Sequence, residues 1–139
     1  MSAATNYTEA NALNYLLTTT ALTGNNARPT AWYVGLMTAI GATPEAGTGM
    51  SEVSGGSYIR QSVAFTVATA GDGTTTAKNS ATITFPQATA DWGTITHVGI
   101  WTAQTSGTML FYGTVTANKV ISNGDTFQIT ADNLSISLA

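Results

Sequence analysis

His97 is the sole imidazole in a chain of 139 residues that has no cysteine. Conventional acid–base or nucleophilic chemistry would therefore have to run through it, with an orienting carboxylate such as Asp91 and a hydroxyl nucleophile. Serine and threonine are so abundant that a hydroxyl match carries no information. His97 reads instead as a strand residue, hydrogen-bonded at a sheet face or a subunit contact, and no enzymatic activity is expected. Metal chemistry fares no better. Asp72, Asp91, Asp125 and Asp132 stand singly beside Gly, Trp, Thr or Asn, without calcium-loop spacing, and turn formation accounts for each of them. Gly71-Asp72-Gly73 lacks the lysine and the strand–loop–helix setting of a phosphate loop and reads as a turn. No metal site and no cofactor are expected.

Two further groups could act in recognition. Trp32, Trp92 and Trp101, with Tyr33, Tyr58 and Tyr112, could stack on sugar rings, but core packing explains most of them more economically. Phe85, Trp92, Trp101 and Phe111 are the expected core aromatics. Glu52 and Arg60 bracket Val53-Ser54-Gly55-Gly56-Ser57-Tyr58 in a chain with four cations and seven anions. Arg60 is expected to form a fixed ion pair or hydrogen-bonded contact with Glu52 or Asp91 that holds the Gly55-Gly56 turn against the sheet.

Charged residues make up 8% of the chain, against roughly a quarter in ordinary soluble proteins. With Arg28, Arg60, Lys78 and Lys119 as its cations and a net charge of -3, the chain has no basic stripe to neutralise a phosphate backbone, and nucleic acid is not an expected partner. The amino terminus has neither a basic start nor a following apolar core. The longest apolar stretch, residues 31–37, falls far short of the ~20 needed to span a bilayer, so no membrane partner is expected. With 43% hydrophobic residues and so few charges, little electrostatic protection against self-association remains, and a homo-oligomer is expected.

The elements that must position these groups are mostly strands. Residues 82–116 hold three runs with period two. Ile83 and Phe85 alternate with threonines. Val98 and Ile100 share one parity while Ile95, Gly99 and Trp101 share the other, and Met109, Phe111 and Val115 face together across Gly113. Upstream, Asn6 and Glu9 have capping-box spacing, and Ala10, Leu13, Leu16 and Leu17 form an apolar stripe, so a helix is expected over about residues 7–19, weakened by Thr18-Thr19-Thr20. A first strand over 32–37 leads to a long loop over about 40–56. That loop and the amino-terminal segment are the candidates for a partner contact. A strand over 58–68 puts Ile59, Val63, Phe65 and Val67 on one parity and breaks at a hairpin tip, Gly71-Asp72-Gly73. Further runs lie near 119–121 and at Phe127 and Ile129, before a last strand in which Leu134, Ile136 and Leu138 alternate with Ser135 and Ser137. Together these describe a single domain over residues 1–139: all-β with one short N-terminal helix, an antiparallel β-sandwich, jelly-roll-like, of about seven or eight strands. No repeat recurs that would make a solenoid.

Several segments together resemble a family of small bacteriophage virion structural proteins commonly labelled "phage tail fibre protein". They are Tyr33-Val34-Gly35-Leu36-Met37-Thr38, the segment from Glu52-Val53-Ser54 to Tyr58-Ile59-Arg60-Gln61, Ile83-Thr84-Phe85-Pro86 with Ala88-Thr89-Ala90-Asp91-Trp92-Gly93, Thr96-His97-Val98-Gly99-Ile100, Leu110-Phe111-Tyr112-Gly113, and the closing Gly124-Asp125-Thr126 and Leu134-Ser135-Ile136. The most specific are those ending in Tyr58-Ile59-Arg60 and in Asp91-Trp92-Gly93. The resemblance implies a virion component without enzymatic activity, assembled in the bacterial host cytoplasm. Its implied partners are other virion proteins, either the major capsid protein or tail proteins. A fibre normally shows repeats or long triple-stranded segments, so the compact chain reads first as a capsid decoration or cement protein. A tail-attached or tail-fibre subunit is the close alternative, and a carbohydrate-binding adhesin module the alternative of another class.

Overall fold

The computed structural model describes residues 2–19, 21–72 and 74–138; Thr20, Gly73 and the Leu138 side chain, on which expectations bore, lie outside what is described. In chain order the elements are β1 (Ser2–Ala4), α1 (Asn6–Leu17), β2 (Tyr33–Ala39), β3 (Ser51–Glu52), β4 (Gln61–Ser62), β5 (Phe65–Thr69), β6 (Thr75–Asn79), β7 (Ile83–Thr84), β8 (Gly93–Trp101), β9 (Met109–Ile121), β10 (Gln128–Ile129) and β11 (Ser135–Leu138). All pairings are antiparallel. One sheet runs β1-β9-β8-β2-β3, with β4 also on β2; the others are β11-β6-β5 and β10-β7. The architecture is a β-sandwich with one short helix, and the described strands number eleven because β3, β4, β7 and β10 are two-residue pieces.

Between the layers lies one core, built from Val34 and Leu36 of β2, Ile95 and Ile100 of β8, Ile83 of β7, Ile136 of β11, and Phe85, Trp92 and Phe127 from the connections. Tyr58 stacks on Phe85 with ring centroids 6.1 Å apart and meets the edge of Trp92 at 5.4 Å. The opposite face of the large sheet carries a second, smaller cluster, Met37, Trp101 and Met109. Asn79 is fully buried, and the sequence reading passed it over. Its amide donates to the carbonyls of Ala81 and Thr130 and accepts from the Leu134 N–H, tying β6 to the start of β11.

Two β-bulges correct the facing read from the sequence. A register shift between Ile95 and His97 puts Ile95 into the main core with Val98 and Ile100, while Gly99 and Trp101 face the other way. A second shift, between Ile100 and Trp101, pairs Ile100 with Phe111 and Trp101 with Met109, leaving Leu110 as the extra residue. Met109 is thereby turned away from Phe111 and Val115. An inserted residue reverses every subsequent side chain, which simple alternation cannot register.

The expected strand over 58–68 is also divided. Gln61–Ser62 pairs with β2 in the large sheet, whereas Phe65–Thr69 pairs with β6 in the other layer. Because the chain changes sheets at Val63, no single parity spans it: Val63 is buried, Phe65 half-buried, Ile59 and Val67 exposed. The expected loop over 40–56 contains a 3-10 turn at Pro44–Ala46, strand β3 and the buried Val53. At the β5–β6 hairpin tip, Asp72 accepts the Thr74 N–H, which holds its carboxyl below the usual range.

Helix α1 departs furthest from expectation. Its N-cap is Thr5, not Asn6, and no side chain caps it. The buried Thr5 hydroxyl donates instead to the carbonyls of Met109 and Leu110, and the Thr8 hydroxyl donates to Leu110. The helix is therefore fastened to the second bulge of β9 by hydrogen bonds. None of its described residues is buried, and the leucine stripe faces outward: Leu13, Leu16 and Leu17 are 59%, 72% and 76% exposed.

Candidate functional site

β3 and β4 pair with the same edge of β2, opposite Met37 and Ala39 and opposite Tyr33 and Val34 respectively. Between them the chain leaves the edge at Val53 and returns at Arg60. This excursion leaves a gap in the ladder at Leu36, and the Tyr58 hydroxyl fills it. It accepts the Leu36 N–H at 2.8 Å and donates to Oε1 of Glu52 at 2.8 Å. Burial pushes the Tyr58 hydroxyl far above the ordinary tyrosine range, so it stays a donor.

Arg60 closes the mouth of the excursion. Its Nε and Nη2 donate to Oε1 and Oε2 of Glu52, each at 2.7 Å, in the bidentate geometry a guanidinium allows. Nη1 donates to the carbonyls of Ala103 at 2.9 Å and Ser106 at 2.6 Å, which fixes the β8–β9 loop to the same point. The guanidinium carbon lies 4.1 Å from the centroid of the Trp101 ring. Four of these hydrogen bonds engage a group that has five N–H donors, and Arg60 is 7% exposed. With one N–H left over and the group largely buried, such an arginine holds backbone segments in place rather than presenting a fork to an anionic ligand.

Trp101 needs a flat bed beneath it. Gly35 and Gly99 are directly paired across β2 and β8. A Cβ on Gly99 would lie 2.5 Å from the Trp101 ring, and one on Gly35 would lie 2.6 Å from it. At the far end of the excursion, Gly56 has φ +57, and its carbonyl accepts both the Trp92 Nε1–H at 2.8 Å and the Thr89 N–H at 3.0 Å. The two most distinctive sequence segments are thus two sides of one contact.

The other expected site residues lie apart. Asp91 does not approach Arg60 as an ion-pair partner. Its Oδ1 accepts the Asn123 N–H at 2.8 Å, joining the turn before β8 to the turn after β9. His97 sits in mid-strand opposite Met37 and Thr114 and shares a 2.8 Å hydrogen bond with the Thr96 hydroxyl; partial burial lowers its pKa. Among the described residues, no three His, Asp or Glu side chains gather in a way that could hold a metal ion. Of the expected core aromatics, Phe85 and Trp92 lie in the main core, Trp101 lies in the smaller cluster, and Phe111 is half-buried against the main core.

Concave apolar surface lies elsewhere. An apolar groove of about 510 Å³ runs between α1 and the chain leading into β2, past Tyr7, Tyr15, Leu22, Pro29 and Trp32. A second, open apolar cleft of about 420 Å³ lies between the sheets, lined by Phe65, Val67, Phe111 and Ile136 among others. Arg28 and Trp32 line both spaces. The face of α1 that borders this groove carries Tyr7, Thr8, Asn11, Ala12 and Tyr15, and the outward leucines Leu13, Leu16 and Leu17 lie on the opposite face. The sequence signal for them was the helical stripe, which marks an apolar face without saying what covers it.

A protein-family model described as Podophage GP4 fiber I protein gp80 matches residues 3–137 of the chain. No match was found among curated proteins.

Proposed function

Because the chain belongs to the family of Podophage GP4 fiber I protein gp80, we propose that it serves as a fibre subunit on the tail of a bacteriophage particle. Membership of a phage fibre family makes it a virion structural protein. The observation that carries the finer reading is the extent of the match, which takes in α1 and all of the described strands except the end residues Ser2 of β1 and Leu138 of β11. The Arg60 lock supports a structural role, since it commits a rare charge to joining three backbone segments. Assembly in the host cytoplasm and contacts with other virion proteins belong to the same proposal.

One feature favours capsid decoration as a second reading. The described residues form a sandwich whose strands run from two to 13 residues, without a structural repeat. Copy number separates the two. A fibre subunit is expected to fractionate with purified tails at a few to a few dozen copies per particle, whereas a decoration protein would stay with tail-less heads in hundreds. Quantitative gel densitometry of heads and tails reads this directly, and recovery with heads alone would overturn the fibre assignment.

We further propose that the protein acts without catalysis. His97 has no carboxylate partner among its hydrogen bonds, and the orienting group a triad needs is missing there. Purified chain is expected to give no turnover on glycoside, ester or peptide substrates. Hydrolysis that disappears in His97→Ala while the fold persists would refute this.

A further inference from the structure

We propose that the cleft between the two sheets is a binding site for a small anionic amphiphile, a free alkyl carboxylate whose chain enters between the sheets while its head meets Arg28. A closed sandwich interdigitates the side chains of its two inner faces. Here that closure is incomplete: Trp32, Phe65, Ala77 and Phe111 pack against the main core and yet stay only partly buried. Together with Val67 and Ile136 they line an open apolar cleft of about 420 Å³, within the ~300–1,000 Å³ range of small-molecule sites. One wall comes from β5, β6 and β11 and the other from β8 and β9.

Charge selects the occupant. Arg28 is the one charged residue among those lining the cleft, and it is exposed, so it stands where the apolar recess meets water. Among the described residues no hydrogen bond or ion pair engages its guanidinium, in contrast to Arg60, whose fork is taken up by Glu52 and two carbonyls. A neutral apolar ligand would leave this guanidinium unused, and a cation would be repelled by it. A carboxylate matches the planar fork with two parallel hydrogen bonds. Apart from the Trp32 N–H, the other polar side chain of the lining is Thr75, whose hydroxyl already pairs with that of Thr69. A sugar would therefore leave most of its hydroxyls unpaired in the cleft, at the cost that desolvated polar groups carry. An alkyl chain with one charged end matches the lining throughout.

The proposal concerns the purified chain and does not depend on where in the virion it resides. The three tryptophans give a site-resolved readout by nuclear magnetic resonance. Trp32 lines the cleft, Trp92 is bonded to Gly56 in the core, and Trp101 lies against Arg60. Titration with decanoate, kept below its micellar range, is expected to move the Trp32 indole N–H signal saturably and to leave the other two in place. Octanoate, two methylenes shorter, should bind about tenfold more weakly. Decylammonium has the same chain and the opposite charge, and wild type should bind it about fivefold more weakly than decanoate. Arg28→Glu changes an exposed position, should leave circular dichroism intact, and should reverse that order; the comparison in wild type needs no variant. No saturable shift of the Trp32 signal up to about 5 mM, a range that spans millimolar affinity, would overturn the proposal. Equal binding of the two head groups, an order that Arg28→Glu leaves unchanged, or shifts of all three indoles alike would overturn it too. A Trp32 signal that moves with protein concentration alone would give the cleft to a second copy, and one that moves only with phosphatidylglycerol vesicles would give it to a membrane surface. Either result would refute the assignment to a free carboxylate.

Discussion

Arg60→Ala is expected to lower the unfolding free energy by about 3 kcal/mol or more, the cost of breaking a buried ion pair from one side. Three losses coincide. Glu52, whose side chain is 25% exposed, would keep the Tyr58 hydroxyl as its one remaining hydrogen bond. The carbonyls of Ala103 and Ser106 would lose a shared donor, and one face of the Trp101 ring would be uncovered. The partial exposure of Glu52 lets water screen some of the charge left behind, which places the effect near the lower end of the ~3–5 kcal/mol range for buried pairs. Lysine cannot reproduce the fork. A single ammonium can reach either the carboxylate or the carbonyls, so Arg60→Lys should recover part of the loss and remain about 1–2 kcal/mol below wild type. Denaturant unfolding of the three proteins, with equal m-values confirming a common transition, makes the comparison. Arg60→Ala and Arg60→Lys that both unfold at the wild-type midpoint would show that the network adds nothing to stability.

This pair was legible in the sequence because charge is scarce. Two opposite charges flanking a glycine turn stand out when only eleven of 139 residues are charged. Choosing between Glu52 and Asp91 was beyond the sequence, since both lie beside turns; strand pairing decides it, by putting Glu52 opposite Met37 on the face that Arg60 reaches. Tyr58 was read as a packing aromatic, and its ring is one. That its hydroxyl replaces a missing ladder partner for Leu36 depends on β3 and β4 sharing one edge of β2, a long-range fact that leaves no local mark. Gly35 and Gly99 did carry a usable signal. Glycine inside a strand often marks the close approach of another group, and here that group is Trp101.

Sheet facing was legible as far as the bulges and no further. Val34 and Leu36 in β2, and Leu134 and Ile136 near the end of the chain, alternate as simple strands do and are buried. Thr96 and Leu110 look like ordinary strand residues, yet they lie where the register shifts, so side chains on either side of each were assigned to the wrong common face. The helix shows the converse. Periodicity located it to within two residues at its carboxyl end and one at its amino end. Burial of its apolar face did not follow, because the nearest residues of β9 present carbonyls of a bulge, and Thr5 and Thr8 satisfy these better than leucine could. An amphipathic pattern marks an apolar face and does not say what, if anything, covers it.

Truncating Trp92 should be as costly as losing Arg60, though for a different reason. Its indole is 5% exposed and touches Tyr58 and Phe85 edge-on, so Trp92→Ala removes a large core side chain and leaves a cavity worth about 3–5 kcal/mol. Trp92→Phe separates packing from hydrogen bonding. The phenyl ring keeps most of the aromatic contact, but the bond from Nε1 to the Gly56 carbonyl is lost. That carbonyl still accepts the Thr89 N–H, so it does not become an unsatisfied buried group, and the hydrogen-bond part of the loss should stay near 1 kcal/mol. The local consequence should exceed the global one. Gly55, Gly56 and Ser57 all hold positive φ, at 74°, 57° and 66°, a run that persists when the surroundings over-determine it. With one of the two anchors on Gly56 removed, hydrogen exchange at the Tyr58 amide, which donates to the Gly55 carbonyl across this turn, should speed up more than exchange in β8. A Trp92→Phe protein in which both exchange as in wild type would mean that the turn holds its shape through Thr89 and the Glu52–Arg60 closure alone. The indole would then be a packing residue and nothing more.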